Sequence, residues 1–535
     1  MKKILILSAC ACMFLASCNN FLDENPKSSL TVGDYYKTEV QAIANVNYLY
    51  RSGAINCIAS AGSAYVGPFA SIPGMLTGYF RNSYEGQELT CQYSRLLTRQ
   101  QQTNTVSGTI DGVWDGCYDA INVANGAIKH IPSISMDAST SARLVAEAKF
   151  FRAFNYFYLV KMFGAVPMPI EPYESMENME LERTAVSDVY ALIESDLQTA
   201  VSVLPASTWQ GTNHRITKYV AEQTLCSVYM QEGKYSQAVA SAKDIISSGK
   251  YNLTGNDNLG LGSAYNKLRT MDDLSEIIYA KEYNASISTS GWWPTYAFSS
   301  AATGVFDKYS ITERVYGPTG RFLNVYTSND LRRSEKQFFV TSYTNPTNNK
   351  VWKMPLDNEN LTTADLDYYN HIGCWYYFDE EAMESTGKGT KDWNIYRYAE
   401  TLLDAAESIA QSSGVTDEAA GYLAQIQARA QLGSESSLKI ALKSLSKDDF
   451  IKACWTERLK EFPLEFKIWD DCLRTGKFPV ISMTNPGSVT YVNLVGATNG
   501  AGATIKSSDL LWPISLNEIQ RNPKLMQNDG YTSSN

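Results

Sequence analysis

Histidine is nearly absent from this 535-residue chain: only His130, His214 and His371 occur, and none lies in an H-E-x-x-H arrangement. That removes the commonest imidazole motifs for holding a metal or moving a proton. No Gly-x-Ser-x-Gly nucleophile elbow occurs. Gly387-Lys388-Gly389-Thr390 lacks the upstream glycine of a phosphate loop, and Gly260-Leu261-Gly262 lacks the third glycine of a dinucleotide fingerprint. The ten cysteines form no C-x-x-C pair, so neither a zinc site nor a dense disulfide framework is expected. Basic runs are missing as well, and the net charge of −10 argues against a nucleic-acid partner. Acidic loop positions such as Asp257 and Asp272-Asp273 are too sparse for a calcium site. The reading carries no catalytic residue, no metal and no cofactor.

Long apolar runs are equally scarce. The one uninterrupted run, Ile4 to Ala16, follows Lys2 and Lys3 and is too short to span a bilayer comfortably. It reads as a secretory signal. Leu15-Ala16-Ser17-Cys18 resembles a bacterial lipobox, in which cleavage before the cysteine is followed by its acylation. Residues 1–17 are therefore expected to be removed, Cys18 to carry lipid, and Asn19 to Pro26 to form a tether.

What the chain does have is amphipathic helix and loop aromatics. Between Arg143 and Phe163, Phe150, Phe151, Phe154, Phe157, Tyr158 and Met162 recur at helical spacing. Ser139, Thr140 and Ser141 are candidate caps, and Gly164 and Pro167 supply the stop. Ile216 to Tyr251 reads as a helical hairpin turning at Gly233-Lys234-Tyr235, with Ala221, Leu225 and Tyr229 facing Ala238 and Ala242. Similar pairs are expected at 143–163 with 186–204 and at 394–411 with 417–432. Small residues at such spacing let hairpins stack as tetratricopeptide repeats do. Long irregular stretches are expected at 56–110, 252–275, 284–320, 341–392 and 482–507, and loops of that length usually serve a purpose. The fold class is mainly α, with a tetratricopeptide-like hairpin scaffold, long loops and minor β structure.

Those loops hold many of the 34 tyrosines and 10 tryptophans. Flat aromatic faces pack on the C–H faces of sugar rings, while neighbouring polar groups bond the hydroxyls. The candidate ligand residues are Trp292, Trp293, Tyr296, Tyr79, Arg81, Asn82 and Tyr84, with Trp375-Tyr376-Tyr377 a further cluster. Any single loop aromatic is more readily a cover for the core; the loops together read as a binding face. One competing reading is enzymatic. Glu457 and Glu461 lie one helical turn apart and Glu465 close beyond Pro463, the makings of a glycosidase pair. Interleaved Arg458, Lys460 and Lys467 favour a salt-bridge network locking the helix into the core.

These segments, taken in order, resemble the SusD/RagB family of outer-membrane nutrient-binding lipoproteins. The resemblance runs from Cys18-Asn19-Asn20-Phe21-Leu22 through Val113-Trp114-Asp115-Gly116, Ala146-Glu147-Ala148-Lys149-Phe150-Phe151-Arg152-Ala153 and Phe163-Gly164-Ala165-Val166-Pro167. It continues through Arg397-Tyr398-Ala399-Glu400-Thr401-Leu402-Leu403 to Leu511-Trp512-Pro513-Ile514 and Gln527-Asn528-Asp529-Gly530-Tyr531. Two positions depart from the family pattern: Glu465-Phe466-Lys467 stands where Glu-Gly-x-Arg is usual, and Ser515 where proline is usual. The resemblance implies an N-terminal part over 18–215 and a C-terminal part over 216–535, packed as one unit. It also implies a non-enzymatic lipoprotein on the outer face of the outer membrane. Such a protein captures glycan and delivers it to a SusC-like TonB-dependent transporter, with a peptide ligand as the alternative. Cys18→Ala is expected to shift the protein out of the membrane fraction on immunoblotting; a variant still membrane-bound and surface-exposed would refute the anchor.

Overall fold

Asp137 opens the most aromatic helix of the chain, and the other N-terminal helices gather around that helix. In this computed structural model the described residues are 36–58, 71–175, 179–207, 215–284, 286, 291–299, 302–306, 316–353 and 372–533. Cys18, His214 and His371 lie outside them. The principal helices are α1 (Glu39–Leu49), α2 (Thr103–His130), α3 (Ala138–Phe163), α4 (Val186–Val203), α5 (Lys218–Gln231) and α6 (Tyr235–Ser247). They continue with α7 (Ala264–Thr270), α8 (Tyr398–Ser413), α9 (Asp417–Gln431), α10 (Lys447–Glu461) and α11 (Ile468–Thr475).

The cap of α3 is not the expected serine or threonine. The Asp137 carboxylate accepts the Thr140 N–H at 2.8 Å and also the Ser139 and Thr140 hydroxyls. An ionised oxygen is the stronger acceptor, and the hydroxyls serve it. The helix ends where expected, at Gly164 with φ 71°, where an added Cβ would meet Leu511 Cδ1 at 3.0 Å. The stripe reading understates its burial. Phe150, Phe151, Phe154 and Phe157 are buried, but so are Glu147, Arg152 and Asn155 on the other faces. Their polar atoms are matched: Arg152 Nε donates to Asp196 Oδ2 at 2.7 Å, and Arg215 Nη2 to Glu147 Oε2 at 2.6 Å. The helix is thus a central post of the fold.

Around it the expected hairpins form. Helix α3 packs on α2 and α4, α4 on α5, α5 on α6, α6 on α8, and α8 on α9 and α10. Gly233 (φ 69°) turns the α5–α6 hairpin, and Ala221, Ala238 and Ala242 are fully buried between its helices. The strands are short antiparallel pairs: β1 (Phe80–Arg81) with β3 (Gly317–Pro318), β2 (Ile277–Lys281) with β6 (Trp393–Arg397), β4 (Ser342–Thr344) with β5 (Val351–Lys353), and β7 (Lys477–Ile481) with β8 (Val489–Asn493). The stretches expected to be irregular are more ordered than expected. The 56–110 segment contains a helix at Leu89–Arg95 and the start of α2, and 252–275 contains α7. Seven-residue helices are too short to show a 3.6-residue period.

The C-terminal segment closes on the end of α3. The Trp512 N–H donates to the Met162 carbonyl at 2.8 Å, and the Asn528 amide donates to the Phe163 and Trp512 carbonyls. Ser515, at the usual proline position, caps the helix Leu516–Arg521 by accepting the Glu518 N–H at 3.3 Å.

The C-terminal half is pinned by buried charge. Arg397, at the end of β6, donates to Glu276 at 2.6 Å, Glu461 at 3.1 Å and Glu465 at 2.9 Å. Arg429 bridges Glu276 and Glu461 at 2.7 and 2.6 Å, and Arg332 reaches Glu461 at 3.1 Å, Asp330 at 2.7 Å and Glu457 at 2.7 Å. Burial by itself would raise the Glu461 carboxyl, but Arg429, Arg397 and Arg332 outweigh it and hold the group below its usual range. Breaking such a cluster strands the remaining charges in the core. Arg397→Leu is expected to lower unfolding free energy by about 3–5 kcal/mol in denaturant titration. Lys439→Ala, which removes an ion pair to the exposed Asp417, should stay within about 0.5 kcal/mol of the parent.

Candidate functional site

Two loop segments meet where Gly291 and Gly389 exchange backbone hydrogen bonds, N–H to carbonyl, at 3.2 and 3.0 Å. A Cβ at Gly389 would lie 3.0 Å from both Pro294 Cγ and Asp379 Oδ2, so any side chain there would press these neighbours apart. The contact brings Trp293 and Pro294 beside the strand end at Trp393 and the short turn Trp375–Tyr377. Between them and α7 opens a cavity of about 720 Å³, within the usual range for ligand sites.

Its walls are aromatic and locked from behind. Trp293 stacks on Trp393 (centroids 4.6 Å, 29°), and Trp393 stacks on Phe466 (5.2 Å, 10°). Trp375 stacks on Phe378 (4.5 Å, 19°), and its indole N–H donates to Asn266 Oδ1 at 2.9 Å. The Tyr377 hydroxyl donates to the Leu464 carbonyl at 3.0 Å and the Tyr376 hydroxyl to Glu465 at 3.1 Å. Such second contacts hold ring orientations fixed before any ligand arrives. Phe466 is a residue of special cost. Its φ is 63°, a left-handed conformation that is strained for a bulky side chain. Its ring supports both Trp393 and Trp293, the latter at 5.4 Å.

Charge rims the aromatic floor. Arg269 lies over Trp375 (4.8 Å to the centroid) and donates to the Phe378 carbonyl at 2.6 Å. Burial pulls its guanidinium below the usual value, and Asp379 and Glu380 oppose that pull. Lys336 sits 5.4 Å from the Trp375 ring and 5.7 Å from Tyr343. Lys391 pairs with Asp272 at 2.8 Å. The aromatic faces suit the apolar side of a ring, and the charged and amide groups at the edge suit its hydroxyls. Among the described residues no group of three or more His, Cys, Asp or Glu could hold a metal ion.

The sequence-based candidates separate. Trp293 lines the cavity. Trp292 lies beside it, half-buried, with Lys388 Nζ 4.5 Å from its ring centroid. Tyr296 is buried at 3% exposure, edge-on to Trp293 at 5.0 Å, and supports the wall from within. The 79–84 set lies elsewhere. Tyr79 is buried at 4% exposure, its hydroxyl donates to the Pro479 carbonyl at 2.8 Å, and burial pushes the phenol up to about 12. Asn82 is fully buried and accepts the Tyr84 N–H at 2.7 Å. Arg81 and Tyr84 are half-buried and do not line the cavity. Tyr79, Asn82 and Tyr296 thus serve packing, because their polar atoms are needed by the backbone or their rings by neighbours. The sequence reading did not single out Arg269, Lys336 or Trp393 as site residues. Trp393 stands four residues before the Arg397 motif, the one local signal that could have found it.

Glu457, Glu461 and Glu465 are buried too, within the arginine cluster that pins the C-terminal half. An ionised Glu461 held by three guanidinium groups has no proton to give; burial raises the Glu465 carboxyl against the pull of Arg397, and Glu457 pairs with Arg332, so each carboxylate has an arginine partner.

A stack of helical hairpins presenting an aromatic cavity from its loops is the architecture of a binding scaffold. The chain belongs to the SusD family: that family's model matches residues 218–531, and a model described as "Starch-binding associating with outer membrane" matches residues 20–230. It is similar to SusD-like protein P2 of Formosa agariphila, 26% identical over 549 residues covering 99% of this chain and 100% of the relative. A SusD superfamily protein from Parabacteroides distasonis has a TM-score of 0.76 at 25% identity, covering 92% of this chain and 99% of that one. Surface glycan-binding protein A from Bacteroides thetaiotaomicron, solved in complex with laminarihexaose, has a TM-score of 0.66 at 19% identity, covering 92% and 100%.

Tyr79→Phe is expected to lower unfolding free energy by about 1 kcal/mol and leave retention in polysaccharide gels unchanged. Lost retention at unchanged stability would return Tyr79 to the ligand surface.

Proposed function

We propose that this chain is a lipid-anchored, surface-exposed glycan-binding protein that hands its ligand to a partner SusC-like TonB-dependent transporter. The carrying observation is the cavity of about 720 Å³ walled by Trp293, Trp375, Tyr377 and Trp393 in a member of the SusD family. Its rings, stacked at Trp293 and Trp393 and hydrogen-bonded at Trp375 and Tyr377, are preorganised, and preorganised aromatic faces reduce the ordering cost of binding a flexible sugar chain. Support for a glycan ligand comes from the structural neighbour solved with laminarihexaose. Support for the location comes from the family description, which names association with the outer membrane. The described residues include no helix long and apolar enough to cross a membrane, which accords with attachment through a lipid at Cys18. A peptide ligand would leave the transporter role intact. A glycosidase reading has little support, since its carboxylates are paired with arginines, Glu465 included where it borders the cavity.

Affinity electrophoresis against a panel of polysaccharides tests the proposal. At least one glycan should retard the protein, and Trp375→Ala, with Trp292→Ala/Trp293→Ala beside it, should weaken retention about tenfold or more, the order expected for losing one stacked face. No retardation by any glycan, together with peptides recovered from the native complex, would replace glycan by peptide. Co-purification of a TonB-dependent transporter from solubilised membranes tests the partner.

A further inference from the structure

The aromatic cavity does not end at its polar edge. A second depression of about 410 Å³ shares Asp272, Lys391, Asp392 and Asn394 with it. These shared residues form a fixed ridge. The Asp392 N–H donates to Asp272 Oδ1 at 3.1 Å, beside the Lys391–Asp272 ion pair at 2.8 Å, and Asp392 Oδ1 accepts the Tyr283 N–H at 2.9 Å. The ion pair remains open to solvent, with side-chain exposures of 21% and 40%. Asn394 is 7% exposed, and its side-chain oxygen meets no donor among the described residues. A buried acceptor without a donor is costly to a fold and suits a site that supplies one.

Each depression is of ligand size, but the two differ in chemistry. The first stacks. The second is polar, bordered by Asp273 and Glu282, while its Arg215 is already committed to Glu147 and Asn47 at 2.6 Å each. Carboxylates accept hydrogen bonds from sugar hydroxyls, and around this depression Asp272, Asp273, Glu282 and Asp392 outnumber Arg215 and Lys391, which disfavours a polyanion.

We infer that the two depressions are successive subsites of one groove, taking an uncharged glycan chain long enough to cross the Asp272–Lys391 ridge. One segment stacks in the aromatic cavity, the next bonds to Asp273 and Glu282, and Asn394 offers its acceptor at the crossing. This rests on the glycan-binding reading and adds to it a minimum length and a charge class.

The experiment uses the full mature protein in gels containing laminarin, starch, xyloglucan, galactomannan, polygalacturonate or alginate. Titration calorimetry is then run with the di- to octasaccharides cut from whichever polymer retards it. An uncharged polymer should retard the protein most. The octasaccharide should bind at least about tenfold more tightly than the disaccharide, and Asp273→Asn/Glu282→Gln should remove about tenfold from the octasaccharide alone. Both substitutions are isosteric, and asparagine tolerates the φ of 56° at position 273. Circular dichroism checks the double variant, and either single substitution replaces it if it misfolds. Length-independent binding, an unaffected octasaccharide or preferential retardation by a polyuronate would overturn the two-subsite groove and leave glycan binding standing. Retardation by none of the polymers would overturn both.

Discussion

The contact between Arg397 and three buried carboxylates holds the C-terminal half to its task. Glu276 precedes β2, Glu461 ends α10, and Glu465 comes after it beyond Pro463, so one guanidinium ties three separate segments to the end of β6. Such clusters contribute little net stability compared with a well-packed apolar core, yet they tolerate only one arrangement of their members. Here the arrangement matters because β6 has two ends. Arg397 lies in the cluster, and Trp393 and Asn394 at the other end line the cavity.

Glu465 makes the connection direct. It accepts from Arg397 on one side and from the Tyr376 hydroxyl on the other, so a charge buried in the scaffold orients a ring in the site. Trp375 and Tyr377 are anchored independently through Asn266 and the Leu464 carbonyl. The loops that carry the aromatics are thus positioned as firmly as the helices beneath them. This is how a largely irregular segment can present a preformed surface.

Periodicity and turn residues made the scaffold legible. Gly164 and Gly233 both adopt the positive φ that their position as helix stops required, and the alanine faces of α5 and α6 meet as read. The loops were legible as composition but not as geometry. A tyrosine such as Tyr79 has the same local context whether its hydroxyl meets solvent or the Pro479 carbonyl, which lies 400 residues away in sequence. Trp293 and Trp375 stand out in the sequence, but nothing local shows that Gly291 and Gly389 draw their segments together. Arg332 and Arg429 decide the role of Glu461, and neither is near it in sequence. Local pattern shows which residues are amphipathic; it does not show which distant partner answers them.

Phe466 carries a consequence of a different kind. Its left-handed backbone is unfavourable for a phenylalanine, and the ring offsets that cost by lying flat against Trp393 and packing on Trp293 and Tyr316. The fit of residue 466 therefore depends on the size of residue 393. A lineage that shrinks residue 393 removes the flattest contact of residue 466, and glycine, which adopts that backbone without strain, becomes the easier choice there. A lineage that keeps the tryptophan keeps a reason for the phenylalanine. Between relatives, the breadth of the cavity's aromatic floor is then expected to change in paired steps at 393 and 466, rather than residue by residue.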